Sequence, residues 1–547
     1  MSVTKLAQDI KVYIKANVQA LHLIVGGQQA EAIHMLRELT QELEATNKEN
    51  KKWFLAIWDA ARGFGQNNLM NPVQAVQAIA DPNRNDPVDS KANAIIVLLN
   101  FHYELGSNPA VVSAFNRAVA ESAFISKGTT RLVVIMTPTE SNFNPDCLPY
   151  VKQVEMPYPT ADELQLTVNK VREEIQAGGD SSAVDTTADF NYQLLTSLGG
   201  LTGSEAHQAL SEAFIRSRGL ASPALRYIEE TKGQLLKKSQ TLTYTSRDKI
   251  AKLEDLAGYE EFEDWLNYRL IAYTAKAEEF QIEQPKGCAL VGVPGSGKSV
   301  CGSVIGQKLG IALVRLDVGA IFNSLVGESE ARMRDALRKV DAMNGCVLLI
   351  DEADKAFGNA HESSGDSGVT RRIFGNLLTW LAEKKSKTFV VMTMNRVDGM
   401  PPELLRSGRF DEVFFVDTPA DLERRKICEI HMRKRNIQFD HFTESNWNKV
   451  VSVTDGFVGA EIEQGVRNVV FKAMAISEEN RWRFDPELLV TELKGIVPLT
   501  RRNPEGIAQI RKFGKEHALP VSRRRAESAQ VKTRSLSAEI GDPNLVR

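Results

Sequence analysis

Hydrophobic positions along this chain fall into short, unbroken runs, and the runs come in two sets of five. In the second half they are CALVGVPG from Cys288, ALVRLDVG from Ala312, CVLLIDE from Cys346, TFVVMTMN from Thr388 and EVFFVDTP from Glu412. Short apolar runs without alternation suit strands buried on both faces of a sheet. Helical stretches separate them, which is the pattern of a parallel sheet wrapped by helices. Behind the fifth run come DLERRKICEIHMRKRN from Asp421 and TDGFVGAEIEQGVRNVVFKAM from Thr454, which read as a helical lid. The first half has the same rhythm, in LHLIVGG from Leu21, WFLAIWD from Trp53, AIIVLLN from Ala94, RLVVIMTP from Arg131 and QVEMPYP from Gln153. There SLGGLTGSEAHQALSEAF, from Ser197, mirrors the lid segment. Gly200, Gly203, Glu205 and Gln208 repeat the mutual spacing of Gly456, Gly459, Glu461 and Gln464. The pattern predicts an α/β fold duplicated in tandem.

The expected boundaries are a first half over 1–215, a connection over 216–246, a large α/β domain over 247–420, a helical lid and C-terminal helix over 421–521, and a disordered tail over 522–547. The connection carries mixed charge and few large apolar groups. The tail is polar, and its Arg523–Arg525 cluster reads as solvated chain, with an acidic partner or nucleic acid as the alternative. Composition agrees with several globular domains: 547 residues, 43% hydrophobic and 25% charged. A formal charge of −3 gives no global reason to expect nucleic acid or an anionic membrane. The five cysteines (Cys147, Cys288, Cys301, Cys346, Cys428) form no CxxC pair, so free thiols in a reduced, cytoplasmic compartment are expected. The N-terminus lacks a signal-peptide core, and no run of about eighteen apolar residues predicts a membrane span.

The halves differ where chemistry would occur. Gly292-Val293-Pro294-Gly295-Ser296-Gly297-Lys298-Ser299 fits GxxxxGK[ST] and lies between a strand and a helix. Its glycines let backbone N–H groups close around phosphate oxygens, helped by the helix N-terminus. Lys298 is the candidate for the β- and γ-phosphates of ATP, and Ser299 for Mg²⁺. The strand CVLLIDE ends in Asp351-Glu352, beside that loop. Asp351 is the expected Mg²⁺-side carboxylate and Glu352 the base that orients or activates water. Asn395, at the tip of TFVVMTMN, is placed to polarise that water or contact the γ-phosphate; otherwise it is a turn residue. Arg406 and Arg409 in PPELLRSGRFDE are either solvated surface charges or groups that enter a neighbouring subunit's site. The first half has GGQQAEA in place of the lysine loop, and Asn100-Phe101-His102 in place of the carboxylates. It reads as a degenerate scaffold without hydrolysis.

The stretch from about Leu253 to Met474 resembles the AAA+ family, with loop, DE pair, sensor Asn and RxGRFD arginines in order. The resemblance implies two tandem P-loop NTPase-like halves, the first degenerate. It also implies that Asp255 and Gly258 of DLAG, His431 of ICEIHMRKR, and Gly459 and Ala460 of GFVGAE lie about the adenine and ribose. A head-to-tail homo-oligomeric ring is implied as well, with six subunits the count the family suggests. The segments AFGNAHESSGDSGVTRRIFGNLLTWLAEKKS from Ala356 and VPLTRRNPEGIAQIRKFGKEHALPVS further resemble the AAA-type proteins called hypothetical chloroplast frame 46, which also begin with a degenerate half. In one place the chain departs from the wider family. Where many AAA+ unfoldases carry a gripping aromatic, NSLVGE from Asn323 puts Leu325, which either grips less well or only packs beside a helix. The loop HESSGDSGVTRR from His361 reads as a mobile connection, with Arg371 and Arg372 as alternative contacts to an adjacent nucleotide. Two functions stay open: an ATPase that remodels a protein partner, and an ATP-dependent switch or assembly scaffold with slow hydrolysis. A DNA-directed role ranks third, since no DNA-binding motif is visible.

Overall fold

The computed structural model describes residues 2–46, 51–64, 70–80, 92–122, 130–138, 144–177, 184–238, 240–273, 277, 279–322, 328–343, 345–355, 367–397, 404, 406, 408–476 and 484–523. They cluster into two compact units that divide between Ile228 and Glu229. Among the described residues, no helix is long and apolar enough to cross a membrane. All five cysteines are free and buried.

The first unit is built on β1 (Ala20–Ile24), β2 (Trp53–Asp59), β3 (Gly63–Phe64), β4 (Asn93–Leu99), β5 (Arg131–Thr137) and β6 (Val151–Glu155). Their order is β3-β2-β4-β5-β1-β6, parallel except for β3 against β2. The unbroken apolar runs have a direct cause here. Side chains of a strand alternate between faces, and both faces are covered. Ile96, Leu98, Val133 and Ile135 pack with Phe101 and Phe115 on one side. Leu21, Leu23, Ile95, Val97, Leu132 and Val134 pack on the other, against helix α1 (Gln29–Ala45). Helix α2 (Gly203–Ser217) carries the repeated Gly-x-Glu signature. Helix α3 (Ser222–Lys238) runs across the division between the units.

The second unit holds β7 (Leu242–Thr245), β8 (Gly287–Gly292), β9 (Leu313–Leu316), β10 (Val347–Ile350), β11 (Phe389–Met394), β12 (Glu412–Val416) and β13 (Leu519–Pro520). Their order is β13-β12-β8-β11-β10-β9-β7. Without the edge strands both sheets read fifth, first, fourth, third, second in chain order, so the duplication extends to topology. Helix α4 (Lys298–Leu309) follows β8. The lid helices Asp421–Arg433, Glu444–Val453, α5 (Gly459–Ile476) and Pro486–Lys494 enclose a separate core of Met432, Trp447, Phe457, Ile462, Val466 and Leu489.

Two stretches differ in character from their sequence reading. The expected connection over 216–246 holds the whole of α3 and the edge strand β7, which pairs antiparallel with β9. Leu236 and Leu242 are buried in the second unit's core. A four-residue edge strand needs few large apolar groups, so composition concealed it. The last described residues do not all stay with the lid. Helix α6 (Pro504–His517) returns to the sheet, where Phe513 packs on the core, and β13 pairs parallel with β12. Ser522 is buried and donates to Glu423 Oε1 at 2.6 Å.

Candidate nucleotide site

The site grows from the C-terminal ends of β8, β10 and β11, at the point where chain order reverses across the sheet and such sheets open a crevice. All six residues of β8 are buried, so the turn that follows starts from a fixed base. Gly295 and Gly297 take left-handed backbone, with φ of 78° and 96°. Gly295 also admits the lid: a Cβ there would stand 3.1 Å from both Ala460 Cβ and Val458 Cγ2. The Ala460 amide, in the first turn of α5, donates to Gly295 O at 3.1 Å. Loop and lid helix are therefore bonded directly. Lys298 is 5% exposed, and its Nζ donates to Gly292 O (2.9 Å) and Val293 O (2.8 Å). Burial lowers its pKa to about 8, against the opposing pull of Asp354 and Asp351. Turn, ammonium and helix N-terminus together suit a phosphate chain.

The carboxylates stand beside the loop. Ser299 Oγ donates to Asp351 Oδ1 at 2.6 Å, and Thr393 Oγ1 donates to the same oxygen at 2.6 Å. The Glu352 amide donates to Thr393 Oγ1 at 3.0 Å. Glu352 has φ of 52°, a conformation that disfavours a side chain, and Thr393 helps hold it there. The Glu352 carboxylate pairs with Lys355. The Asn395 amide donates to Asp354 Oδ1 at 3.0 Å, fixing the strand tip two residues past Thr393. A hydroxyl beside one carboxylate is a small set of hard oxygen donors. It fits Mg²⁺, which keeps waters and substrate oxygens in its shell. Among the described residues, no group of three or more His, Cys, Asp or Glu side chains forms a metal cage of its own.

The entry segment and lid form a second polar group. Gly258 has φ of 79°, and a Cβ there would come within 2.5 Å of the Glu423 carboxylate, which Ser522 and the Ala420 amide pin. Burial would raise the Asp255 carboxyl, but Lys434 at 2.9 Å and the Lys252 amide hold it below its usual value. Burial depresses the His431 imidazole, against the pull of Glu463. His431 Nδ1 lies 3.9 Å from Glu463 Oε1. It has no hydrogen-bond partner among the described residues.

Arg406 and Arg409 are not brought to this group. Arg406 is exposed and Arg409 half-buried, either side of Gly408. Next to them Asp411 exchanges hydrogen bonds with Gly287, the first residue of β8. The arginines thus lie at the entry of the strand whose exit holds Lys298, roughly 20 Å away at the usual rise of a strand. Arg372 pairs with Glu330 at 3.2 Å. Leu325, most of the loop from His361 and the residues after Arg523 lie outside the described residues, as does the Arg371 side chain.

Two residues at the site, Thr393 and Tyr259, escaped the sequence reading, and one packing contact of the loop did too. Thr393 joins both carboxylate positions. Tyr259 donates its hydroxyl to Ser296 O at 3.0 Å, bracing the loop. Val293 packs with Val458 and Ile507, so loop, lid and α6 share one small cluster. Only the aromatic after Gly258 could have hinted at this.

Comparison with known proteins agrees with the geometry. Residues 288–418 match the family described as ATPase family associated with various cellular activities (AAA). Residues 6–142 match the SpoVK-like AAA ATPase N-terminal domain. The chain is similar to the "Uncharacterized AAA domain-containing protein ycf46" of Guillardia theta, at 30% identity over 83% of this chain and 85% of that protein. It is also similar to the cell division cycle protein 48 homolog of Archaeoglobus fulgidus, at 30% identity over 35% of this chain and 26% of that one. The ATP-dependent zinc metalloprotease FtsH of Thermotoga maritima matches at 30% identity over 43% of this chain and 39% of its own length.

Proposed function

Because the chain belongs to the AAA ATPase family, in the group of ycf46 AAA domain-containing proteins, and is an ATP-hydrolysing enzyme, we propose that it couples Mg²⁺-dependent hydrolysis to remodelling or regulated assembly of a protein partner. The observation that carries this reading is the bond from the Ala460 amide to Gly295 O. A phosphate chain cradled by the loop displaces or strengthens that contact, and the lid moves with it. Helix α6 anchors the hinge of that motion, since Arg511 pairs with Asp417 and donates to Thr418, just before the lid begins.

The assigned roles follow from position. Residues Gly292 to Gly297 cradle the phosphates, and Lys298 reaches the β- and γ-phosphates once it leaves its two carbonyls. Ser299 and Asp351 hold Mg²⁺, which when bound offsets phosphate charge. Glu352 takes the proton of the attacking water, and Asn395 orients that water. Asp255, Gly258, His431, Gly459 and Ala460 surround the adenine and ribose. Arg406 and Arg409 lie too far from their own loop, so they serve a neighbour's site in a ring of like subunits.

A switch with slow hydrolysis is the second reading. The ion pair of Glu352 with Lys355 favours it, because a base held by an ammonium must be released before it can accept a proton. ATPase rates measured with a denatured protein, with DNA and with neither separate the readings. Stimulation by denatured protein supports remodelling, and a slow rate indifferent to both supports the switch. Subunit mixing tests the ring. Arg409→Ala and Lys298→Ala proteins are each inactive, and activity partly returns on mixing. A rate independent of concentration in a monomer, with no rescue, leaves the arginines as surface charges.

A further inference from the structure

Arg315 has no part in the chemistry assigned above, yet it stands on the carboxylate at its centre. Strand β9 delivers it there. Val314 and Leu316 turn into one core face, so Arg315 turns to the opposite face, beside its partner Leu349 of β10. Its Nη1 lies 3.4 Å from Asp351 Oδ2, while Ser299 and Thr393 both occupy Oδ1. Both oxygens of Asp351 are thus engaged by this chain's own donors. The Asp351 side chain is 19% exposed, and a carboxylate so far out of water is stabilised by a counter-charge. The Arg315 side chain is 52% exposed, so it can swing into solvent without unpacking a core.

We propose that Arg315 is a cationic placeholder for Mg²⁺. It neutralises and orients Asp351 before nucleotide arrives, and it gives up Oδ2 when the metal is held, so it sets the Mg²⁺ concentration that nucleotide binding requires. The inference rests on the reading of Ser299 and Asp351 as the metal side of the site. Arg315 acts through Asp351 and is a positioning residue. Two cations on one carboxylate repel each other, so removing the guanidinium favours the metal.

The test is equilibrium binding of a fluorescent ADP analogue to the full-length protein across a Mg²⁺ titration, which needs no turnover. Arg315→Gln is expected to lower the half-saturating Mg²⁺ by up to about fivefold, the scale of a half-exposed ion pair. Arg315→Lys keeps the wild-type requirement, and unfolding midpoints in EDTA confirm that both variants are folded. An unchanged or raised Mg²⁺ requirement in Arg315→Gln overturns the placeholder role, provided Asp351→Asn raises the requirement in the same assay. If Asp351→Asn leaves the Mg²⁺ response intact, the metal side itself is wrong, and the placeholder falls with it.

Discussion

In both halves the first strand runs through a glycine turn into a helix, and a polar group near that turn meets the N-terminus of a lid-type helix. The helices in question, α2 and α5, are set up identically. Gly200 and Gly456 both take left-handed backbone, and Glu205 and Glu461 cap the amides of Thr202 and Val458, each at 2.9 Å. What they meet differs. In the second half the helix bonds to Gly295 O, a carbonyl of the phosphate-type loop, with Lys298 beneath it. In the first half Glu31, from the opening turn of α1, accepts the Ser204 amide at 3.0 Å and the Ser204 hydroxyl. A carboxylate of the chain itself supplies the negative charge that a helix N-terminus favours. Gln28, the N-cap of α1, is buried and donates to Pro157 O, and the helix opens with Gln29 where α4 opens with Lys298. The exits of the third parallel strands differ in the same sense. Asn100, with φ of 54°, adopts the left-handed turn at little cost, and Phe101 behind it fills the core. Glu352 holds a similar φ under strain and keeps its carboxylate at the surface of the site. One fold, given a glutamate and a phenylalanine, closes on itself; given a lysine and two carboxylates, it stays open to a ligand.

The strongest test of this contrast is Lys298→Ala, which is expected to abolish ATP binding by the whole chain, since the first half has GGQQAEA in place of the lysine loop. Micromolar, Mg²⁺-dependent ATP binding left in that variant, measured by calorimetry, breaks the comparison. Next in size, Glu352→Gln keeps ATP binding but lowers hydrolysis by about 10² to 10⁴, the usual scale for a general base. A wild-type rate removes Glu352 from that role.

A titration inside the first half sharpens the contrast further. His22 is 1% exposed and shares a 2.7 Å hydrogen bond with Thr137 Oγ1. Burial, and then the nearby His102, lower its pKa from 6.5 to about 4. The unfolded chain therefore binds this proton from about pH 6.5 downward, while the folded half resists until about pH 4. Stability is fully present above pH 6.5 and falls across that window, by about 3 kcal/mol in all. Urea midpoints read by proteolysis within residues 1–215 should follow this slope, and His22→Gln should flatten it. The smallest effect belongs to Glu31→Ala, which removes a helix cap. It should destabilise the first half by about 1 kcal/mol and speed amide exchange at Ser204, with ATP binding at Lys298 unchanged. Unaltered exchange at Ser204 would separate Glu31 from the lid-type helix.

Much of this is legible in the sequence. Both sets of five strands could be read from apolar runs, because a strand buried on two faces has no polar alternation to hide it. The Gly-x-Glu repeat could be read because a capping carboxylate must sit three residues past the residue whose amide it accepts. The lysine loop and the Asp351-Glu352 pair announced themselves because phosphate and magnesium chemistry demand those residue types beside a strand end. Edge strand β7 was hidden, being too short to leave a pattern, and so was the return of α6 and β13 to the sheet, since that helix's apolar stripe does not say which core it covers.

The sequence by itself determined the two-fold repeat, the order of its strands along the chain and the motif residues on which the proposed chemistry of one half rests. Only the tertiary structure decided which distant side chains share an oxygen. Thr393 and Arg315 come from two different strands, and nothing in either local sequence points to Asp351. They meet it because parallel strands bring their C-terminal ends to a common edge, and spatial order in the sheet differs from order in the chain. The same geometry put Arg406 and Arg409 at the far edge, a strand's length from the loop that holds Lys298.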